Sequence, residues 1–109
     1  MKHMNFTQTI SFRCTDPDEL LRLIVQWDEM QAEADVMGYI GSHVLRDRDD
    51  PGHYVLVAEF AVVDPEVSAA EEAMKNNERP ITQEWARRLL AISDGEPEWG
   101  NFDEVYRTG

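Results

Sequence analysis

The sequence predicts an α+β domain of the ferredoxin-like, split βαβ kind, with a four-stranded antiparallel sheet, the first and third strands central and the helices on one face. Three observations carry this expectation. A pattern occurs twice: Phe12-Arg13-Cys14-Thr15-Asp16-Pro17-Asp18-Glu19 recurs as Phe60-Ala61-Val62-Val63-Asp64-Pro65-Glu66-Val67, with Phe, Asp and Pro in register and an acid after each Pro. In both copies a β-rich run stops at an Asp able to cap a helix, and Pro takes the first helical position, where its missing N–H costs nothing. Each copy is thus a strand feeding a helix, and two such units make a split βαβ domain. The hydrophobic period also changes from two to about 3.6 at Asp16. Finally, Asp49-Asp50-Pro51-Gly52 joins two β-rich runs as a hairpin, Pro supplying a fixed φ and Gly a positive one.

Taken in order, residues 5 to 13 alternate Phe6, Ile10 and Phe12 with Thr7, Thr9 and Ser11, the mark of a strand with unlike faces. From Asp16, the positions Leu20, Leu23/Ile24, Trp27, Met30/Gln31 and Ala34 recur at three- and four-residue steps and predict a helix that ends before Gly38. Tyr39 to Arg48 reads as the second strand and Tyr54 to Phe60 as the third. Residues 65 to 76 then predict a short helix with Val67, Ala70 and Met74 inward. Pro80 starts another helix with Ile81, Trp85, Leu89 and Ile92 as its apolar stripe, stopped by Asp94-Gly95. Trp99 to Arg107 reads as a last strand, polar enough to lie at a sheet edge. The opening Met1-Lys2-His3-Met4 is left out of the fold.

Length and charge bound the function. The 109 residues make one domain, 1–109, large enough for a single core. With 22 acidic against 10 basic residues the net charge is -12, a surface that repels phosphate backbones and anionic lipid; nucleic-acid and membrane partners are therefore not expected. Lone Cys14 can form no internal disulfide and fits a reducing, cytoplasmic setting, most simply as a small buried hydrophobe. No apolar stretch reaches spanning length, and phosphate loops, a Ser nucleophile elbow and a zinc helix motif are missing.

The third strand has a consequence for assembly. Tyr54, Leu56, Ala58 and Phe60 share one face, whereas Val55, Val57 and Ala61 point to the other. Helices on one side leave the second apolar face in water, at about 25 cal/mol per Å². With no residues to spare for another layer, a second copy packed by a two-fold axis is expected to cover it, giving a homodimer.

Met37-Gly38-Tyr39-Ile40-Gly41-Ser42-His43-Val44-Leu45-Arg46-Asp47, the Asp50-Pro51-Gly52 turn and Tyr54-Val55-Leu56-Val57-Ala58-Glu59-Phe60 resemble the central hairpin of the antibiotic biosynthesis monooxygenase family, the dimeric α+β barrel proteins. The resemblance runs over the order of elements from about residue 5 to 107. It implies a homodimer with a pocket in each subunit between sheet and helices. Some members oxygenate phenols, quinols or anthrone-like polyketides with molecular oxygen and neither metal nor flavin; others degrade haem, and some have no known enzymatic role. Haem-degrading members carry a helix His after the third strand. The matching region here, Ala73-Met74-Lys75-Asn76-Asn77-Glu78, has none, and a haem reaction would lose its anchor.

Cofactor-free oxygenation asks for an apolar pocket, a hydrogen-bond donor or base, and room for oxygen. The expected catalytic groups are Asn5, Tyr54 and Glu59: Asn5 or Tyr54 to hydrogen-bond an ionising substrate oxygen, Glu59 to accept a proton if desolvation raises its pKa, or else to face a wet edge or pair with Arg46. Trp85, Trp27 and His43 are the expected substrate-binding groups, Trp85 stacking on an aromatic ring. Both tryptophans also lie on apolar helical stripes, where core packing is the plainer role. His43 and His53 lack paired metal-ligand spacing, and neither a metal nor another cofactor is expected. Three functions follow: a cofactor-independent monooxygenase acting on a small aromatic, quinol or polyketide-type substrate; a non-catalytic dimeric module binding a small ligand; or an aromatic polyketide cyclase.

Overall fold

In the computed structural model, which describes residues 3–109 and so leaves Met1 and Lys2 outside the description, seven elements follow one another. They are β1 Phe6–Arg13, α1 Pro17–Ala34, β2 Tyr39–Arg46, β3 His53–Phe60, α2 Ala69–Asn77, α3 Pro80–Ala91 and β4 Glu98–Asp103. The strands form one antiparallel sheet in the order β2-β3-β1-β4, so β3 and β1 are central and β4 is an edge, as the sequence predicts. Among the described residues no helix is long and apolar enough to cross a membrane.

The first Asp-Pro signal works as expected. Asp16 caps α1, its Oδ1 accepting the Glu19 N–H at 3.1 Å, and Pro17 opens the helix. The second copy does not. Asp64 accepts from the Glu66 N–H, two residues on, and closes a turn instead. The helix starts later, where Ser68 accepts the Glu71 N–H in a Ser-x-x-Glu capping pattern. That delay resets the buried face of α2: Ala69, Ala73 and Asn76 point inward, while Met74, expected inside, is exposed. In α3, Thr82 takes the inward place expected of Ile81, and Trp85, Leu89 and Ile92 are buried as predicted. β2 and β4 stop short of the expected ends, at Arg46 and Asp103.

All three helices bury their apolar stripes against one face of the sheet. The core joins Phe6, Ile10 and Phe12 of β1 and Leu56, Ala58 and Phe60 of β3 to Leu20, Leu23, Trp27 and Met30 of α1, Ala69 and Ala73 of α2, and Trp85 and Leu89 of α3. The turn into β2 depends on Gly38. Its φ is +84°, its carbonyl accepts the Ala61 N–H at 2.6 Å, and a Cβ there would stand 2.2 Å from the Ala61 carbonyl oxygen. An irregularity between Tyr39 and Gly41 then leaves Ile40 outside the regular pairing with β3, after which His43 faces Val57 and Leu45 faces Val55.

Among the described residues no element covers the other face of the sheet. It carries Thr7, Thr9 and Ser11 of β1, Val55, Val57 and Glu59 of β3, His43 and Leu45 of β2, and Phe102 of β4, with Leu45 and Phe102 about half exposed, at 50% and 56%. Val55 and Val57 lie on this face as predicted, but among the polar side chains of Thr7, Thr9, Ser11, His43 and Glu59, and Val57 is already buried.

Candidate functional site

Alternation along β1 places Phe6, Gln8, Ile10 and Phe12 beneath the helices. Gln8 is the exception among them, an amide held at a core position. α1 brings Trp27 and α3 brings Trp85 over the same stretch of sheet, and the two indoles meet with centroids 4.8 Å apart at 48°. Gln8, Ile10, Trp27, Leu56, Ala58 and Trp85 together enclose a cleft between sheet and helices. It is nearly closed, with a volume of about 10 Å³, enough for at most one water molecule.

Both indole N–H groups of the cleft are hydrogen-bonded, and the Gln8 amide in part. Gln8 Nε2 donates to Asn101 Oδ1 at 3.2 Å; a primary amide has two N–H groups, so a second remains available. Trp85 Nε1 donates to the Leu23 carbonyl at 2.8 Å, locking α3 to α1. Trp27 Nε1 donates to Ser42 Oγ at 3.0 Å, Ser42 shares a 2.7 Å bond with the Tyr39 hydroxyl, and Tyr39 donates to Asp28 Oδ1. Burial raises the Tyr39 pKa, partly offset by the Ser42 bond. This chain fixes one indole ring by way of β2, and the Leu23 carbonyl fixes the other.

The residues expected to act do not all converge here. Trp27 and Trp85 line the cleft. Tyr54 lies on the helix side of β3 but nearer the hairpin end, stacked on Phe12 at 6.5 Å and outside the lining. Asn5 stands at the far end of β1, where its side-chain Oδ1 accepts the Val62 N–H and its Nδ2 donates to Glu104 Oε2. It borders a wide, open depression of about 730 Å³ with His3, Met4, Val62, Pro65, Glu104 and Val105. Glu59 and His43 project from the uncovered face, on the opposite side of the sheet from both tryptophans. The partner of Glu59 is Arg107, 4.0 Å away, and not Arg46. His53 begins β3 and hydrogen-bonds Ser11 and Asp47. Cys14 packs against the core, and burial raises its thiol pKa, which fits an inert role. Gln8 is the site residue that sequence reasoning missed. The available signal was an amide in the alternating register of Phe6, Ile10 and Phe12.

No family profile and no curated sequence matches the chain. Solved structures do. SnoaB, a cofactor-independent oxygenase from Streptomyces nogalater, superposes with a TM-score of 0.73 at 20% identity, covering 95% of this chain and 96% of that one. The chain has the fold of the antibiotic biosynthesis monooxygenases. A protein from Deinococcus radiodurans provisionally given that name matches at TM-score 0.71 and 10% identity, over 95% of this chain and 96% of its own. Another, from Nitrosomonas europaea, matches at 0.66 and 18%, over 100% and 97%.

Proposed function

We propose that the protein is a cofactor-independent monooxygenase that oxidises a small aromatic, quinol or polyketide-type substrate with molecular oxygen, and that it works as a homodimer. The observation that supports this reading best is Gln8, one amide with a spare N–H set among two indoles and three aliphatic side chains. Such a site suits a substrate that is mostly apolar and carries one oxygen on which charge develops. Ionisation of a phenolic or enolic oxygen makes the ring electron-rich, and the Gln8 N–H stabilises the anion. The substrate then gives its electrons to oxygen: in an anthrone an activated CH₂ becomes C=O, in a hydroquinone a ring C–H becomes C–OH as the ring is oxidised to the quinone, and in both the second oxygen atom leaves as water with no further reductant. Trp27 and Trp85 sandwich the ring and keep water out.

Ligand pockets are commonly about 300 Å³ or larger, so the substrate must part the indoles to enter. Oxygen uptake with a panel of hydroquinones and anthrones tests the reading, comparing the wild type with Gln8→Leu. The expected outcome is turnover that falls about 10²-fold in the variant, as for loss of an oxyanion donor. Uptake that is absent throughout the panel, or equal in the two proteins, refutes it.

The dimer is proposed on the uncovered sheet face, where Val55, Leu45 and Phe102 have no cover within the chain. Light scattering after size exclusion should give twice the 12.6 kDa chain mass at micromolar concentration. A monomer there refutes it.

A further inference from the structure

A donor-rich corner lies buried in the helical layer, one turn from the indole pair and across the sheet from the face that the proposed dimer covers. α1 and α3 run antiparallel: Thr15, just before α1, donates its N–H to the carbonyl of Ile92, just after α3, at 2.8 Å, and further along Trp27 meets Trp85. One helical turn beyond, Gln31 follows Trp27 and Thr82 precedes Trp85, each on the buried face of its helix. Both are at most 2% exposed. Even so, neither amide atom of Gln31 nor the Thr82 hydroxyl has a hydrogen-bond partner. Asn76, near the end of α2 and equally buried, has an unpartnered Nδ2. Its Oδ1 accepts from Arg79 Nη1 at 2.9 Å, and Arg79 is the N-cap residue of α3, so this amide stands at the start of that helix. Asn77 Oδ1 is unpartnered as well, one position and so about 100° round α2 from Asn76. A buried polar atom without a partner costs stability, and several together mark a place built to receive one from outside.

α3 itself opens with no capping side chain and no acid in its first turn. Pro80 has no N–H, and the Ile81 and Thr82 N–H groups precede the first bond of the helix, from the Gln83 N–H to the Arg79 carbonyl at 3.0 Å. The Arg79 guanidinium gives one N–H to the neutral Asn76 amide and is paired with no carboxylate among the described residues. One cation, a helix N-terminus and several free donors thus share this corner. We propose that Arg79, Asn76, Thr82, Gln31 and the first turn of α3 form a carboxylate-binding site, and that the ligand of the adjoining Trp27–Trp85 cleft is an aromatic carboxylate. Asn76 Nδ2, Thr82 Oγ1 and Gln31 Nε2 donate to the carboxylate oxygens, and Arg79 supplies the charge. Gln31 Oε1 remains to accept a hydroxyl beside the carboxylate. Gln31 and Thr82 stand one turn, about 5.4 Å, along their helices from the indoles, which is within reach of a carboxyl group on a ring held there. A doubly charged phosphate is disfavoured by the single cation and by the net charge of -12. Only the placement of the ring rests on the proposed cleft; the carboxylate site does not. Arg79, partly exposed, forms its outer side, and the ligand enters as Arg79 turns away from Asn76.

The test is anaerobic calorimetric titration of the full chain with 2-naphthoate, which has no oxidisable hydroxyl, and with its neutral counterpart 2-naphthamide. The carboxylate should bind at least about tenfold more tightly, by a margin that shrinks at high salt. Arg79→Gln should weaken 2-naphthoate about tenfold and leave 2-naphthamide unchanged. Thr82→Val separates binding from packing: loss of an unpaired buried hydroxyl should hold or raise the melting temperature while 2-naphthoate binds about tenfold more weakly. Equal affinity for the acid and the amide, no binding of the acid, or an acid affinity that neither variant alters overturns the proposal. So does a raised melting temperature in Thr82→Val with 2-naphthoate binding untouched, which means that the corner holds ordered water only. Circular dichroism checks each fold; if Thr82→Val does not fold, Arg79→Gln, at a partly exposed residue, decides alone. Oxygen uptake with the neutral hydroquinones and anthrones is read separately, so oxygenation can fail while the carboxylate still binds, and the reverse.

Discussion

Replacing Trp85 by Phe separates the cleft's packing role from its binding role. Trp85 is 1% exposed, so its change is felt in full. Loss of the indole N–H bond to the Leu23 carbonyl costs about 1 kcal/mol, because that helical carbonyl also has a backbone partner available. The smaller ring leaves about 40 Å³ empty, worth about 1 kcal/mol at about 24 cal/mol per Å³, and the lost apolar contact adds about 1 kcal/mol. The expected destabilisation is thus about 3 kcal/mol, or a melting temperature lower by roughly 12 to 24 °C for a domain of this size. Urea unfolding followed by far-ultraviolet circular dichroism measures it, with the dimer mass checked alongside. The ring that remains still faces Trp27, and the extra space joins the cleft, so an aromatic ligand's affinity should change as well. A loss under about 0.5 kcal/mol would mean that Trp85 is not packed as described. A full loss of stability with unchanged affinity and turnover would make it a core residue alone and refute the cleft as the binding site.

Gly38→Ala should cost about 3 kcal/mol or more in urea unfolding, since the left-handed backbone and the 2.2 Å approach to the Ala61 oxygen both oppose a methyl group, whereas Gly41→Ala, with nothing within 4 Å, should change stability by less than about 1 kcal/mol. Asp16→Ala removes the α1 cap and should cost about 1 kcal/mol by the same measurement. Asp47, Asp50 and Glu104 have pKa values lowered in the fold by bonds to His53, Arg13 and Arg107 respectively. Depressed carboxylate pKa values give stability that is full above the unfolded values, 3.8 for Asp and 4.5 for Glu, and is lost as pH falls through the folded ones. Melting temperature should therefore drop below about pH 4.5. That acid slope should lessen in Asp50→Asn, and an unchanged slope would remove Asp50 from the account. Leu45→Lys on the uncovered face should turn the proposed dimer to monomer while the circular dichroism spectrum is retained; a dimer that survives places the interface elsewhere.

The local signals were readable wherever a short stretch of chain decides its own conformation. Asp16-Pro17 starts a helix because its capping atoms are all within four residues. Alternation in β1 and β3 gives two sheet faces because side chains on a strand alternate. The same alternation already separates Tyr54 from Glu59, an odd number of positions apart on one strand, so the two could not share a cleft. The Asp64-Pro65 copy shows the limit of such reading: the same two residues closed a turn once Ser68 and Glu71 supplied a better cap.

What the sequence by itself determined is the set of elements, their two faces and the apolar excess of the third strand, because these follow from period and capping over a few residues. Only the tertiary structure decided which groups meet. Gln8 meets Trp27 and Trp85 because α1 and α3 bring the two indoles together over the helix-side face of the sheet. Ser11, Asp47 and His53 touch because antiparallel register brings distant strand ends to one corner. Contacts between residues far apart in the chain leave no local pattern, so they become legible only once the sheet has formed.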